Sequence, residues 1–167
     1  MRRSIVIAGL GVVAAGAFAI APTAHAEERD CRGTIGAVTV DNLRVPQGAT
    51  CILRRTRVQG TVKVERGATL RAIAIRVIGN VQAENHRRVA LRNRSRVGGS
   101  VQLVQGGSAR LAGTRVTGDM QLFENRGRQS VARNRINGNL QCKENTRTPT
   151  GGGNVVQGNK EDQCAHL

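Results

Sequence analysis

The amino-acid sequence predicts an all-β protein, a right-handed parallel β-helix (β-solenoid) of about seven coils with about 20 residues in each. Three observations support this prediction. A short motif recurs along the chain at a nearly constant interval, and apolar residues alternate with polar ones inside each copy. The 167 residues also include no Trp, no Tyr and only two Phe. A narrow core of small aliphatic side chains needs no large aromatic residues, which an ordinary domain of this length would use.

The first 26 residues are predicted to be a secretory signal peptide and not part of the fold. Arg2 and Arg3 form a positive n-region, residues 5–20 are uncharged, and Ala24-His25-Ala26 fits an A-x-A cleavage site. A membrane anchor is the alternative, but the apolar run is short for a span of roughly 20 residues. We therefore expect a secreted chain, residues 27–167, that forms one β-solenoid domain without a transmembrane segment. Its net charge falls from +15 to +13, because the leader removes two arginines and no acidic residue.

The repeat has the form R-V-x-G-x-V-Q-[AVL]. Its five clear copies begin at Arg57, Arg76, Arg96, Arg115 and Arg135. A weaker copy begins at Thr34 and a truncated one at Val156, and the repeat glycines are residues 36, 60, 79, 99, 118, 138 and 158. Self-similarity at this interval predicts a solenoid. Val58, Val62 and Val64 alternate with polar residues, which indicates a strand. Glycine inside a strand pattern marks a bend, so we expect a positive φ there.

Two further segments complete the pattern of the chain. A second, looser apolar patch follows in each copy, for example Cys51-Ile52-Leu53, and small turn clusters separate the patches. Residues 143–153 break the rhythm with Pro149 and three consecutive glycines, which predicts a protruding loop before the last coil.

Four cysteines lie near the two ends of the secreted chain. An even number of cysteines in a secreted protein indicates disulfides, and four allow three pairings. We favour Cys31–Cys51 and Cys142–Cys164, because the members of each pair lie about one coil apart and would staple the terminal coils. A zinc site is the alternative, but CxxC spacing is missing. We expect no metal and no cofactor.

The repeats, the stretch at residues 119–125 (DMQLFEN) and the tail at residues 151–164 (GGGNVVQGNKEDQC) together resemble a known group of proteins. These are small secreted β-helix proteins of uncharacterised function from high-GC Gram-positive bacteria. The resemblance implies the fold and export, and it implies no catalytic residue. A weaker resemblance is to bactofilins, polymer-forming β-helix proteins with short V-x-G-x-V coils. Bactofilins differ in being cytoplasmic and in lacking disulfides at their ends.

Stacking of the coils should align the arginine before each inward valine on one outer face, about 4.8 Å from the next. This column comprises Arg57, Arg76, Arg96, Arg115 and Arg135. Two interpretations remain open. The column is either a cationic stripe that binds an anion, since arginine favours phosphate and carboxylate, or a cover that keeps the rod soluble. A parallel column should form an amide ladder. It comprises Lys63, Gln82, Gln102, Gln121 and Gln141.

These features predict a secreted, non-catalytic protein at the cell surface or in the extracellular space. Its partners would be an anionic cell-wall polymer, an acidic polysaccharide or extracellular DNA, the last held by non-specific phosphate contacts. We do not expect sequence-specific recognition of nucleic acid, because the chain has no set of aromatic side chains on which bases could stack. A second hypothesis is a structural protein that self-associates as a homo-oligomer.

The third hypothesis is a polysaccharide lyase, the enzymatic alternative to the non-enzyme that we expect. Such an enzyme needs converging acids for calcium beside a base. Asp119 and Glu124 share one coil but lack a metal-ligand pattern, and Asp119 falls in a column of small turn residues. His86 and His166 are isolated, and we expect both to be exposed to solvent.

Overall fold

The computed structural model describes residues 27–167, so the predicted signal peptide lies outside the described residues. Within that range the chain forms 22 short strands and no helix. Each coil contributes three strands. In chain order they are β1 Glu28–Asp30, β2 Gly33–Ile35, β3 Thr39–Val40, β4 Asn42–Val45, β5 Thr50–Arg54, β6 Arg57–Val58, β7 Val62–Val64, β8 Thr69–Ile73, β9 Arg76–Val77, β10 Val81–Glu84, β11 Arg88–Arg92, β12 Arg96–Val97, β13 Val101–Val104, β14 Ser108–Ala112, β15 Arg115–Val116, β16 Met120–Phe123, β17 Gln129–Ala132, β18 Arg135–Ile136, β19 Leu140–Lys143, β20 Thr150–Gly152, β21 Val155–Val156 and β22 Lys160–Asp162.

The strands stack into three parallel sheets. The first sheet has the order β1-β4-β7-β10-β13-β16-β19-β22, the second β2-β5-β8-β11-β14-β17-β20, and the third β3-β6-β9-β12-β15-β18-β21. Every strand except the first and last of each sheet therefore pairs with the strands of the coils before and after it, for example Val81 with Val62 and with Val101. The predicted all-β parallel solenoid of about seven coils is confirmed. Its right-handedness stays a prediction.

The core is a thin aliphatic column between the three sheets. Val58, Val62 and Val64 are buried, as their alternation predicts. The largest fully buried side chains are leucines, isoleucines, one methionine and one histidine, while Phe123 is only half-buried. Branched aliphatic side chains suffice because the facing sheets leave little space between them.

The repeat glycines serve close packing, and the expected positive φ is wrong. None of the seven has a φ in the left-handed region. Instead, Gly79 donates its N–H to the carbonyl of Gly60 over 3.0 Å, and Gly138 makes the same bond to Gly118 over 3.2 Å. A Cβ added at Gly79 would lie 2.7 Å from the Gly60 oxygen, too close for any side chain. Glycine recurs because each coil stacks backbone against backbone at this corner.

Both predicted disulfides are present and staple the terminal coils. Cys31 bonds Cys51 with a Cα–Cα distance of 5.4 Å, and Cys142 bonds Cys164 with a Cα–Cα distance of 5.3 Å. All four cysteines are buried. After Cys164 the chain turns so that Leu167, only 3 % exposed, packs against the core. The C-terminal end of the core is thus covered by the chain's own last residues.

Residues 143–153 form a regular part of a coil, so the predicted protruding loop is wrong. Thr150–Gly152 is strand β20, and it pairs with Ser130–Ala132 of the preceding coil. Asn145 and Pro149 within this segment are buried. Glycine is needed at position 151 of the strand, since a Cβ there would collide with the backbone of Val131.

Buried asparagines occupy two corners of the last coils. The Oδ1 atom of Asn125 accepts the Gly106 N–H over 2.9 Å, and its Nδ2 donates to the Leu103 carbonyl over 2.9 Å. Asn134 and Asn154 make a similar pair at the next corner, with Nδ2 of Asn134 3.0 Å from Oδ1 of Asn154. These side chains satisfy backbone groups that a bend leaves without ladder partners.

His86, Gly106 and Asn125 occupy the same corner in three successive coils. His86 is buried there, contrary to expectation. Its side chain is 2 % exposed and stacks directly on Gly106, whose missing Cβ makes the space. Neither ring nitrogen has a hydrogen-bond partner in residues 27–167. Burial lowers the pKa of His86 to about 4, and the nearby Ala83 carbonyl opposes only part of that shift. His166 is exposed as predicted.

Candidate anion-binding faces

The five predicted arginines form one column on the outer face of the third sheet, which we call the arginine ladder. Arg76 is paired in register with Arg57 and Arg96, and Arg115 with Arg96 and Arg135. All five side chains are exposed, while the valine or isoleucine that follows each one is buried. The strand alternation therefore fixes the guanidinium groups outward, one per coil, at a rise of about 4.8 Å.

The ladder carries no counter-charge within residues 27–167. The ion pairs of that range are made by Arg44, with Glu28, Asp30 and Glu65, and by Lys143 with Glu144. A second row of bases widens the ladder at one corner. Arg94 and Arg133 line a shallow depression of about 230 Å³ together with Arg96, Arg115 and Arg135. The positive charge of this face is thus concentrated and unpaired by protein groups.

The neighbouring amide column is satisfied internally. Gln82 donates its Nε2 proton to Oε1 of Gln102 over 3.0 Å, and the same bond continues through Gln121 and Gln141. The chain of bonds ends at the Glu161 carboxylate, which accepts from Gln141 over 2.7 Å. The predicted amide ladder is therefore present as a structural element, as expected for stacked amides.

The small polar residues between the two columns also have a structural task. Oδ1 of Asp119 accepts the backbone N–H of Asn139 over 2.8 Å, and Oδ1 of Asn80 does the same for Ser100. Asp119 thus acts as a turn residue. Oε2 of Glu124 accepts from Gln105 over 2.9 Å. Residues 27–167 contain no group of three or more His, Cys, Asp or Glu side chains placed to hold a metal ion.

Three acids of the first coils, Glu28, Asp30 and Glu65, surround Arg44. Arg44 donates from Nε to Oδ1 of Asp30 over 2.8 Å and from a terminal nitrogen to Oδ2 over 3.0 Å. This bidentate bond lowers the pKa of the Asp30 carboxyl below its ordinary value. The same hydrogen bond with Asp30 raises the pKa of the Arg44 guanidinium. These three acids are therefore paired with Arg44 and not with the ladder.

A second basic feature, which sequence reasoning did not find, lies on the outer face of the second sheet. We call it the arginine groove. It is an open concavity of about 790 Å³, lined by Arg71, Arg88, Ala90, Arg92, Ser108, Ala109, Arg110, Arg128, Ser130 and Thr150. Five of these ten residues are arginines and none is acidic. The signal in the sequence was weak, because these arginines do not occupy the same position in successive repeats.

The fold and these faces define a class of molecule: a parallel β-solenoid, stapled by disulfides at both ends, with two outer faces rich in arginine. Comparison with protein families, with curated proteins and with solved structures found no match to the chain. No helix in residues 27–167 is long and apolar enough to cross a membrane.

Proposed function

We propose that the protein is a secreted, non-catalytic β-solenoid that binds anionic polymers at the cell surface or in the extracellular space. The observation that carries the proposal is the arginine ladder, a straight row of five exposed guanidinium groups without an acidic partner in residues 27–167. The predicted leader, the paired cysteines and the resemblance to secreted β-helix proteins support the location.

Electrostatics supports a ligand on this face. Two unit charges at the coil spacing repel by about 1 kcal/mol in bulk water, and each inner arginine has two such neighbours. An extended polyanion relieves this repulsion because it places negative groups along the whole row. It also gains the bidentate hydrogen bonds that guanidinium forms with phosphate and carboxylate. A rod with a regular charge spacing suits a repetitive polymer better than a compact ligand.

The test is retention of residues 27–167 on immobilised heparin and on immobilised DNA, eluted by a salt gradient. The variant R76Q/R96Q/R115Q should elute at clearly lower salt, since polyanion contacts weaken steeply with ionic strength. The matched control is R32Q/R126Q/R147Q, which removes the same charge from exposed arginines outside the ladder. Equal loss of retention in both variants would show a non-specific basic surface and would refute the proposal.

A further inference from the structure

The arginine groove differs from the ladder in that its arginines are interrupted by small residues. The register places Arg71 next to Ala90, Ala90 next to Arg110, and Arg110 next to Ser130. Arg71 and Arg110 therefore stand two coils apart, at a distance of about 9.6 Å along the axis. The short side chains between and beyond them leave a concavity of about 790 Å³, larger than the depression of about 230 Å³ beside the ladder.

Two arginines of the groove are held in place by the sheet. Arg88 donates its Nε proton to Oγ of Ser108 in the next coil over 3.3 Å. Arg92 is half-buried, and its Nε is shielded from solvent without a hydrogen-bond acceptor in residues 27–167. Its side chain therefore lies against the sheet where it lines the groove.

The size and charge of the groove restrict the chemistry of that anion. A volume of about 790 Å³ is within the range of small-molecule sites. Five guanidinium groups and no carboxylate line it, so the ligand must carry several negative charges in a small space. The planar guanidinium fork matches the oxygens of phosphate bidentately. The chain offers no aromatic platform for a sugar ring here.

We propose that the arginine groove is a binding site for an oligophosphate chain, separate from the polymer-binding ladder. The chain extends along the coil axis from Arg71 to Arg110, with phosphate oxygens also meeting Arg88 and Arg92. Consecutive phosphates supply the charge density that five arginines require. The inference goes beyond the proposed function, because it concerns another sheet and a compact ligand.

The experiment is calorimetric titration of inorganic tripolyphosphate into residues 27–167 with both disulfides intact, at about 0.15 M salt, where exposed charges are screened beyond roughly 8 Å. One saturable site is expected. The variant R71Q/R110Q should bind at least tenfold more weakly. The matched control R76Q/R115Q removes two ladder arginines and should change the affinity less than threefold. Both pairs are exposed, so unfolding transitions near that of the wild type will show that the variants fold.

Two further ligands test the phosphate chain itself. Orthophosphate and citrate should each bind at least tenfold more weakly than tripolyphosphate, because one has a single phosphate and the other carries carboxylates. Absence of saturable binding, equal loss in the two variants, or equal affinity for either of these ligands would overturn the inference. The result is distinguishable from the fate of the proposed function, since R76Q/R115Q should bind tripolyphosphate normally and still lose retention on heparin.

Discussion

Replacement of His86 by asparagine should remove a pH-dependent weakness from the core. The imidazole is 2 % exposed, packs on Gly106, and has no hydrogen-bond partner for either nitrogen in residues 27–167. Burial holds its pKa at about 4, against about 6.5 in the unfolded chain. The same corner column holds asparagine in two later coils, at Asn125 and Asn145, so His86→Asn introduces a residue type that this column accommodates.

The magnitude follows from the difference between the two pKa values. The folded state resists protonation, so the unfolded chain binds more protons between about pH 6.5 and pH 4. The free energy of unfolding therefore falls as the pH decreases through this window, and the titration of His86 does not change it above the window. The full loss is about 3 kcal/mol below pH 4, of which about 2 kcal/mol is already lost at about pH 4.5.

The assay is denaturant unfolding of wild type and His86→Asn at pH 7 and pH 4.5. The wild type should lose about 2 kcal/mol more than the variant between the two pH values, because carboxylate titration affects both proteins equally. His166→Asn changes an exposed histidine and should keep the wild-type pH dependence. If His86→Asn instead shows the same slope as the wild type, the buried neutral imidazole is not the source of acid sensitivity.

Two further changes test the ends and the corners of the rod. The variant C31A/C51A should lower the free energy of unfolding by about 3 kcal/mol, as expected for a closed loop of this length, and a denaturation midpoint unmoved in C31A/C51A would contradict a stapling role. Asn134→Leu should cost about 2 to 4 kcal/mol, because the Thr114 N–H and the Leu111 carbonyl lose their buried partner. The exposed Asn137→Leu is its control, and a cost below about 1 kcal/mol for Asn134→Leu would show that the corner does not depend on this amide.

The repeat made the fold and the ladder predictable from the sequence. Once Arg76, Arg96 and Arg115 occupy the same place in consecutive copies, parallel stacking aligns them without further information. The disulfides were predictable for the same reason, because a separation of about one coil brings two cysteines together.

The groove was not predictable in this way. Arg71 and Arg110 share a column with Ala90 and Ser130, so no repeated letter marks the position. The five arginines come from the second sheet and the corner before it, and only the register shows which of them meet around small residues. The positions of the basic residues in the sequence do not show whether they line one concavity or are scattered over the surface.

The buried polar corners were also missed, because their columns change residue type from coil to coil. His86, Gly106 and Asn125 occupy equivalent corners of successive coils. The His86 ring fills the space left by Gly106, and Asn125 accepts the Gly106 N–H. The glycine repeat was visible, but its cause was misjudged. A sequence pattern shows that glycine recurs, whereas the choice between a bend and a close backbone contact needs the distance to the neighbouring coil.

Because neighbouring coils pair in a matched register, the rod could be lengthened by whole coils without changing the pairing. Arg96 and Arg115 are paired and 19 residues apart, and the residues between them form one complete turn of the solenoid. Duplication of such a unit would add one guanidinium to the ladder, one layer of aliphatic side chains to the core and one glycine to the backbone-contact corner. The number of guanidinium groups in the ladder is thus set by the number of coils.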